Sequence, residues 1–400
     1  MMKIPTGLKN IFSGAMGKDS DTKQLKPYMY AHPDFGMSKE DWARHMMIYG
    51  GLGSGKTFIL LQMLDQIFQK NEKLILYDIK GDMTRKFPEA LLMSPWDQRS
   101  VVWDIAQDID TESAIRAFAN SLFPTNNDDK NKYFQEAAAD IMIAIIKEMY
   151  VEHKGNWGWQ HLNKAAARSC EEQYASMVRF NPEQAKVIAA ILETFSAGIH
   201  VVNQLATAWG DGNTNERFSF KQWLQDDYQG KRQIILQGGL TFMENTYISA
   251  IVNSLIPQIL SPSFEDNELG RSLFFVFDEF HTLGKIEIDK LIALGRSKGC
   301  IVILGLQDIA QVKVIYGEEF SRTLPAIVGT QIVCRVGPGE TRQMVHQLIG
   351  KKRVGRKLFR KLLNESDLTT MLGPQGSSSR RSIRSIILSG ERRQMLDWSI

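Results

Sequence analysis

Short unbroken apolar runs recur along the chain, separated by stretches whose apolar positions fall three and four residues apart. The runs are "HMMIYG" (His45–Gly50), "KLILYDI" (Lys73–Ile79), "SVVWDI" (Ser100–Ile105), "RQIILQG" (Arg232–Gly238), "SLFFVFD" (Ser272–Asp278), "CIVILGLQ" (Cys300–Gln307) and "AIVGTQIVCRV" (Ala326–Val336). A strand that is apolar at every position is buried on both faces. These runs therefore predict an α/β fold with a mostly parallel sheet covered by helices on each side. After the first run, Ile59, Leu60, Met63, Leu64 and Ile67 mark the buried face of a helix from about Gly55 to Gln69.

From Thr111 to about Gln204 the helical spacing takes over. Asp110 reads as the N-cap of "TESAIRAFANSLF". Asn131–Tyr150 carries a long apolar face, and Asn181 followed by Pro182 opens a third long helix. Residues 111–228 are therefore expected to form an all-α insertion domain, with Trp157, Trp159, Trp209 and Trp223 in its core. Asn245–Phe264 reads as a buried helix and turn. Residues 1–40 hold Pro5, Pro27 and Pro33 and read as a leader and wrapping segment. Near the other end, Leu358, Phe359, Leu362 and Leu363 suggest a helix with an apolar edge, and Gly376–Arg381, "GSSSRR", a short linker.

Composition changes this picture mainly at the C-terminal end. Of 400 residues 43% are hydrophobic and 23% charged, which suits a chain with a substantial core. The net charge is +3, but Lys351–Arg393 carries twelve Lys or Arg against Glu365, Asp367 and Glu391. This basic segment, within residues 351–400, fits a polyanion partner or a solvated tail. Cys170, Cys300 and Cys334 show no metal spacing and fit a reducing compartment. No stretch reads as a transmembrane helix, and "MMKIPTGLKNIFSGAMGK" is too short in apolar run for a secretory signal.

"GGLGSGKT" (Gly50–Thr57) fits the pattern G-x-x-x-x-G-K-[ST] and lies between a strand and an amphipathic helix. Gly50, Gly51, Gly53, Ser54 and Gly55 make a backbone that turns tightly enough to aim its N–H groups at phosphate oxygens. Gly55 opens a helix whose N-terminus favours an anion. Lys56 is expected to reach the β- and γ-phosphates, and the Thr57 hydroxyl to ligate Mg²⁺. Further on, Asp278 ends a buried apolar strand, where open α/β sheets place ligands. It is a candidate holder of the Mg²⁺, with Glu279 placed to polarise an attacking water. Gln307, at the end of another strand, is a candidate sensor of the γ-phosphate. ATP and Mg²⁺ are the expected cofactors, with residues 41–110 and 229–350 as the two parts of a nucleotide-binding domain. Asp78 and Asp82 follow the second strand, where site-mouth and turn roles both stand open.

The motifs taken in order resemble the type IV coupling proteins, the TraD/TraG group within the FtsK/HerA class of hexameric motor ATPases. "HMMIYGGLGSGKT", "LILYDIKGDMTRKF", "LMSPWDQRSVVWDI", "FFVFDEFHTLGKI" and "GCIVILGLQDIAQVKVIYGE" carry the resemblance, across roughly residues 40–350. It implies a RecA-like P-loop NTPase core with an inserted all-α domain, built into a homo-hexamer around a DNA channel. It further implies a relaxase–DNA complex and type IV secretion channel components as partners, at the cytoplasmic face of a bacterial inner membrane. Many members begin with transmembrane helices and none is visible here, so a soluble variant, a truncated form and a motor anchored by a partner all stand open, with peripheral membrane association left open too. The resemblance calls for an arginine acting in trans, and Arg322 and Arg335 are the candidates. Lys285, Arg296 and Lys298 are candidate DNA contacts. A cytosolic translocase with no secretion role, and a docking hub that binds ATP only to assemble, are the competing readings.

Overall fold

The computed structural model describes residues 26–125, 131–210, 217–239, 241–267, 270–353, 359–361, 363–377 and 380–400. Its strands are β1 (Met29–His32), β2 (Phe35–Met37), β3 (Met46–Tyr49), β4 (Lys73–Asp78), β5 (Leu91–Met93), β6 (Val102–Trp103), β7 (Arg217–Phe218) and β8 (Gln233–Gln237). They continue with β9 (Leu273–Phe277), β10 (Cys300–Leu306), β11 (Thr330–Val333), β12 (Lys351–Arg353), β13 (Phe359–Lys361), β14 (Gly373–Ser377), β15 (Arg380–Ser389) and β16 (Arg392–Ser399). The described residues fall into two compact units. The first takes in the chain up to Leu76, Ser272–His281 and Ile292–Ile400, and the second Tyr77–Arg271 and Thr282–Leu291.

In the first unit the strands are hydrogen-bonded in the order β14-β15-β11-β3-β10-β9-β4, and β16 pairs with β15. β3 lies parallel to both β10 and β11, and β10 parallel to β9. Every residue of β3, β9 and β10 is buried, as unbroken apolar runs require. The Lys56–Gln69 helix buries the five apolar residues that marked its face. In the wrapping segment, β1 and β2 form an antiparallel hairpin, and the hydroxyl of Tyr28 donates to Glu72 at 2.6 Å. His45 turns the chain into β3 at φ 65°. Its Nδ1 accepts from Val302 N at 3.1 Å, so the proton sits on Nε2, 3.0 Å from the Ile292 carbonyl.

The C-terminal end departs from expectation. Gly376–Arg381 is not a linker: Gly376 belongs to β14, and Arg380 and Arg381 begin β15. β15 extends the central sheet antiparallel to β11, with Ile332 opposite Ile387. The expected helix around Lys351–Leu362 is also overturned where described, since β12 and β13 pair antiparallel; Leu358 and Leu362 lie outside the described residues. Alternating apolar and basic positions such as Ile383 and Arg384 are a strand signal. Several arginines here are clamps on the fold. Arg384 grips Asp397 with two bonds at 2.7 and 2.9 Å, Arg393 donates to the Ile349 carbonyl, and Arg392 lies over the Phe35 ring at 4.2 Å. The strand expected from Ala326 starts only at Thr330, because Ala326 and Ile327 end the Glu318–Ile327 helix.

The second unit holds β5 parallel to β8, β6 parallel to β7, and the long helices. "SVVWDI" yields only the two-residue β6; the strand beside β8 is Leu91–Met93, a run too short to carry a pattern. Helices span Glu112–Leu122, Lys132–His153, Trp159–Ser176, Pro182–Trp209 and Phe242–Ile259. Thr111, not Asp110, caps the first: its hydroxyl accepts from Ala114 N while Asp110 pairs with Lys221. Asn181 caps the Pro182–Trp209 helix in a capping box with Gln184. Among the described residues that helix alone is long and apolar enough to cross a membrane. Leu192, Phe195, Gly198 and Val202 form a buried stripe on it, while Glu193 and His200 are exposed. Trp157, Trp159, Trp209 and Trp223 are buried. Buried Asp108 ties the unit together by accepting from Trp103 Nε1, Ser219 Oγ, Phe220 N and Lys221 N at 2.6–3.0 Å.

Candidate nucleotide-binding site

β3 delivers the chain into the glycine loop between its two neighbours. Gly50 N donates to the Leu306 carbonyl at 3.1 Å and Gly51 N to the Arg335 carbonyl at 2.9 Å. The loop turns back on itself through Ser54 N to Gly51 O, with Gly53 at φ 65° and Gly55 at φ 100°. These left-handed positions are where glycine is required. The Lys56–Gln69 helix starts directly afterwards, so its first-turn N–H groups, which have no carbonyl one turn back, face the cradle. Inside it, Ser54 Oγ is buried with no hydrogen-bond partner. Buried Lys56 donates to the Gly50 carbonyl at 2.6 Å. A helix start with unpaired N–H groups beside an unsatisfied hydroxyl and a lysine fits the oxygens of a polyphosphate.

The acidic strand end meets this loop inside the same unit. Thr57 Oγ1 is 3.5 Å from Asp278 Oδ2, a hydroxyl and a carboxylate that together suit a hard, oxygen-seeking Mg²⁺. Glu279 is buried and held at φ 55°, a left-handed conformation uncommon outside glycine. Its Oε1 lies 3.8 Å from Lys56 Nζ, and its Oε2 accepts from Gln307 Nε2 at 2.9 Å. His281 Nδ1 is 3.9 Å from the same Oε2. Lys56, Thr57, Asp278, Glu279 and Gln307 thus form one connected polar cluster at the carboxyl ends of β3, β9 and β10.

The remaining candidates stand elsewhere. Arg335 follows β11 beside the loop, whereas exposed Arg322 lines a cavity with Lys313, Glu318 and Glu340. Lys285 is exposed in the second unit, and Arg296 and Lys298 sit in a turn before β10 in the first. Asp78 serves a turn: it accepts from Gly81 N, Thr84 N and Thr84 Oγ1 at 2.8–2.9 Å, while Asp82 pairs with Arg85. Two residues of the site escaped sequence reasoning. A Cβ on Gly305 would lie 2.7 Å from Asp278 Oδ1, so this glycine makes room for the carboxylate. Its signal was a glycine inside an otherwise apolar strand. Ile383 of β15 packs on Gly55, where a Cβ would meet its Cδ1 at 2.4 Å. No local signal marks that contact.

A glycine-rich P-loop after β3, β10 with Gln307 at its end beside it, and β9 leading into Asp278 and Glu279 one place further define a P-loop NTPase fold of the RecA type. The chain belongs to the family described as the type IV secretion-system coupling protein DNA-binding domain, which it matches over residues 29–396. It is 21% identical over 350 residues to the coupling protein TraD of Escherichia coli (strain K12), covering 84% of this chain and 47% of TraD. The chain therefore spans about half the length of that curated relative. The bacterial conjugative coupling protein TrwB, in its unbound monoclinic form, superposes with TM-score 0.74 at 18% identity, over 98% of this chain and 90% of that one. TrwB in complex with ADP and Mg²⁺ gives TM-score 0.70 at 18% identity, over 99% and 92%. At this identity the likeness establishes a shared fold.

Proposed function

We propose that this chain is a Mg²⁺-dependent ATPase that drives DNA, or a DNA-bound relaxase, towards a type IV secretion channel in bacterial conjugation. The observation that carries the reading is the Lys56–Glu279–Gln307 chain of contacts beside the Thr57–Asp278 pair, in a member of the coupling-protein family. TrwB, of the same fold, has been solved with ADP and Mg²⁺. In this reading Lys56 exchanges the Gly50 carbonyl for phosphate oxygens, and Thr57 and Asp278 hold the metal. Glu279 polarises water, and Gln307 reports whether a γ-phosphate is present.

Residues 41–110 and 229–350 then form the motor domain, 111–228 the helical insertion, and 351–400 the end that completes the sheet. The chain works as a homo-hexamer at the cytoplasmic face of the inner membrane, with Lys285, Arg296 and Lys298 as DNA contacts. The test is the ATPase rate with single- and double-stranded DNA across a salt series. Stimulation that falls as salt rises is expected, because phosphate contacts release counterions. Hydrolysis indifferent to DNA, together with conjugative transfer that survives Lys56→Ala, overturns the motor and leaves a docking hub.

A further inference from the structure

We infer that Arg335 binds the nucleotide held by its own subunit's phosphate loop, on the ribose and α-phosphate side, and is not an arginine supplied to a neighbouring subunit. This rests on the reading of Gly50–Thr57 as a triphosphate site.

Four observations carry it. First, the chain path fixes Arg335 beside the loop in cis. The pairing of β11 with β3 runs on past Val333, through Cys334 N to the Tyr49 carbonyl at 2.8 Å and Gly51 N to the Arg335 carbonyl at 2.9 Å. The second glycine of the loop is thereby tied to the backbone of Arg335 itself.

Second, the strand order sets the side. Glu279 and Gln307 follow β9 and β10, on one flank of β3, and mark where a γ-phosphate would be tested. β11 lies on the opposite flank. A residue there meets the end of the nucleotide remote from the γ-phosphate.

Third, the guanidinium is uncommitted. Among the described residues it forms no hydrogen bond and no ion pair, although the residue is only partly exposed. Other arginines of the same unit, such as Arg384 and Arg393, are bonded to the fold.

Fourth, its stem has a prepared bed. Gly373 opens β14 at φ 87°, and a Cβ there would lie 2.8 Å from Arg335 Cβ and 3.5 Å from its Nε. The side chain runs along bare backbone that any larger residue would push away. A planar fork of donors on a restrained stem suits the oxygens of a phosphodiester or a ribose. Arg322, exposed on a helix among Lys313, Glu318 and Glu340, has none of these ties to the loop.

The test is calorimetric titration of the intact chain with unlabelled Mg²⁺–ADP, beside steady-state ATP hydrolysis. Arg335→Met keeps the stem and removes the donors. It is expected to weaken ADP binding roughly 10- to 100-fold, the range for charged hydrogen bonds. KM for ATP should rise in parallel while kcat stays within about twofold, the mark of lost uniform binding. Arg335→Lys should recover part of the ADP affinity. Mixed assemblies of Arg335→Met and Glu279→Gln subunits should show no activity beyond the sum of the separate variants, because each site takes both residues from one chain. Unchanged ADP affinity with a collapsed kcat, or activity restored by mixing, overturns the inference in favour of a residue acting in trans. Wild-type chain that binds no ADP sinks the triphosphate reading of the loop itself, and Arg335 with it.

Discussion

Gly305→Ala places one methyl group against the carboxylate of Asp278, the proposed Mg²⁺ ligand. The new Cβ would stand 2.7 Å from Asp278 Oδ1, 3.3 Å from Asp278 Cα and 3.5 Å from Glu279 N. The first contact falls about half an ångström or more short of an ordinary non-bonded separation. The backbone has little room to yield, since β10 and β9 are buried along their whole length and hydrogen-bonded in register from Cys300–Leu273 to Leu304–Phe277. The cheaper relief is rotation of the Asp278 side chain, which breaks its alignment with Thr57 Oγ1 at 3.5 Å. Overpacking of this kind costs about 1–3 kcal/mol, offset by roughly 0.5 kcal/mol for replacing glycine in a strand. The variant should therefore fold with a modestly lower Tm. Misplacing the proposed metal ligand by a fraction of an ångström should lower kcat roughly 10- to 100-fold. The assay is ATP hydrolysis over a Mg²⁺ series, with nucleotide binding measured in EDTA. The Mg²⁺ dependence should move to higher concentration while metal-free binding holds. A folded variant with wild-type kcat and Mg²⁺ dependence refutes the argument that Gly305 exists to seat Asp278.

Three further outcomes follow from named contacts. Glu279→Gln removes the charge beside Lys56 and Gln307 and should cut hydrolysis roughly 10²- to 10⁴-fold while ADP affinity measured by calorimetry is kept. Burial lowers the His45 imidazole to about 4 from an ordinary 6.5, so the folded chain binds fewer protons than the unfolded chain between those values. Its contribution of about 3 kcal/mol is complete above pH 6.5 and lost as pH falls towards 4. Denaturant midpoints across that window should fall less steeply for His45→Asn, a residue that tolerates the positive φ; an identical slope would count against it. Asp108→Ala leaves four donors without their acceptor, three of them buried, and should cost about 3–5 kcal/mol, read as a shift in urea midpoint; a loss under about 1 kcal/mol contradicts the clamp.

The parts of the fold legible in the sequence are those whose signal is local. β3, β9 and β10 announce themselves because burial on both faces leaves no polar position, and the loop between β3 and its helix carries a fixed pattern of glycines. Asn181 and Pro182 mark their helix start by chemistry confined to one turn. Thr111 was passed over for Asp110 because adjacent residues can both cap, and the choice is made by Lys221, more than a hundred positions away. The C-terminal strands were missed for a related reason. Arg384 and Arg392 read as a charge run until Asp397, Phe35 and Asp41 are brought to them. Gly305 and Ile383 matter only through their neighbours Asp278 and Gly55, which the sheet order supplies.

If the site hydrolyses a nucleotide as proposed, the cluster also shows how loss of a phosphate would be felt beyond the site itself. Glu279 is held in a left-handed conformation that costs about 1–2 kcal/mol, and its carboxylate is shared between Lys56 and Gln307. The residue after each of the two polar groups grips the Ile309–Tyr316 helix. Phe280 stacks on Tyr316 at its end, at 5.2 Å and 20°, and Tyr316 touches Phe320 at 4.9 Å. Asp308 caps its start through Ala310 N and accepts from Thr341 Oγ1 at 2.7 Å, while that hydroxyl accepts from Ile309 N at 2.8 Å. Thr341 lies in the first turn of the Glu340–Ile349 helix. In the proposed motor, a phosphate that draws Lys56 or Gln307 away from Glu279 changes the balance at both ends of one short helix at once. A ligand moves such an equilibrium only by its differential affinity for the two arrangements, about 1.4 kcal/mol for each tenfold. The strain at Glu279 is of that size. Relaxing it in one nucleotide state and restoring it in the other would suffice to tip the helix between two packings.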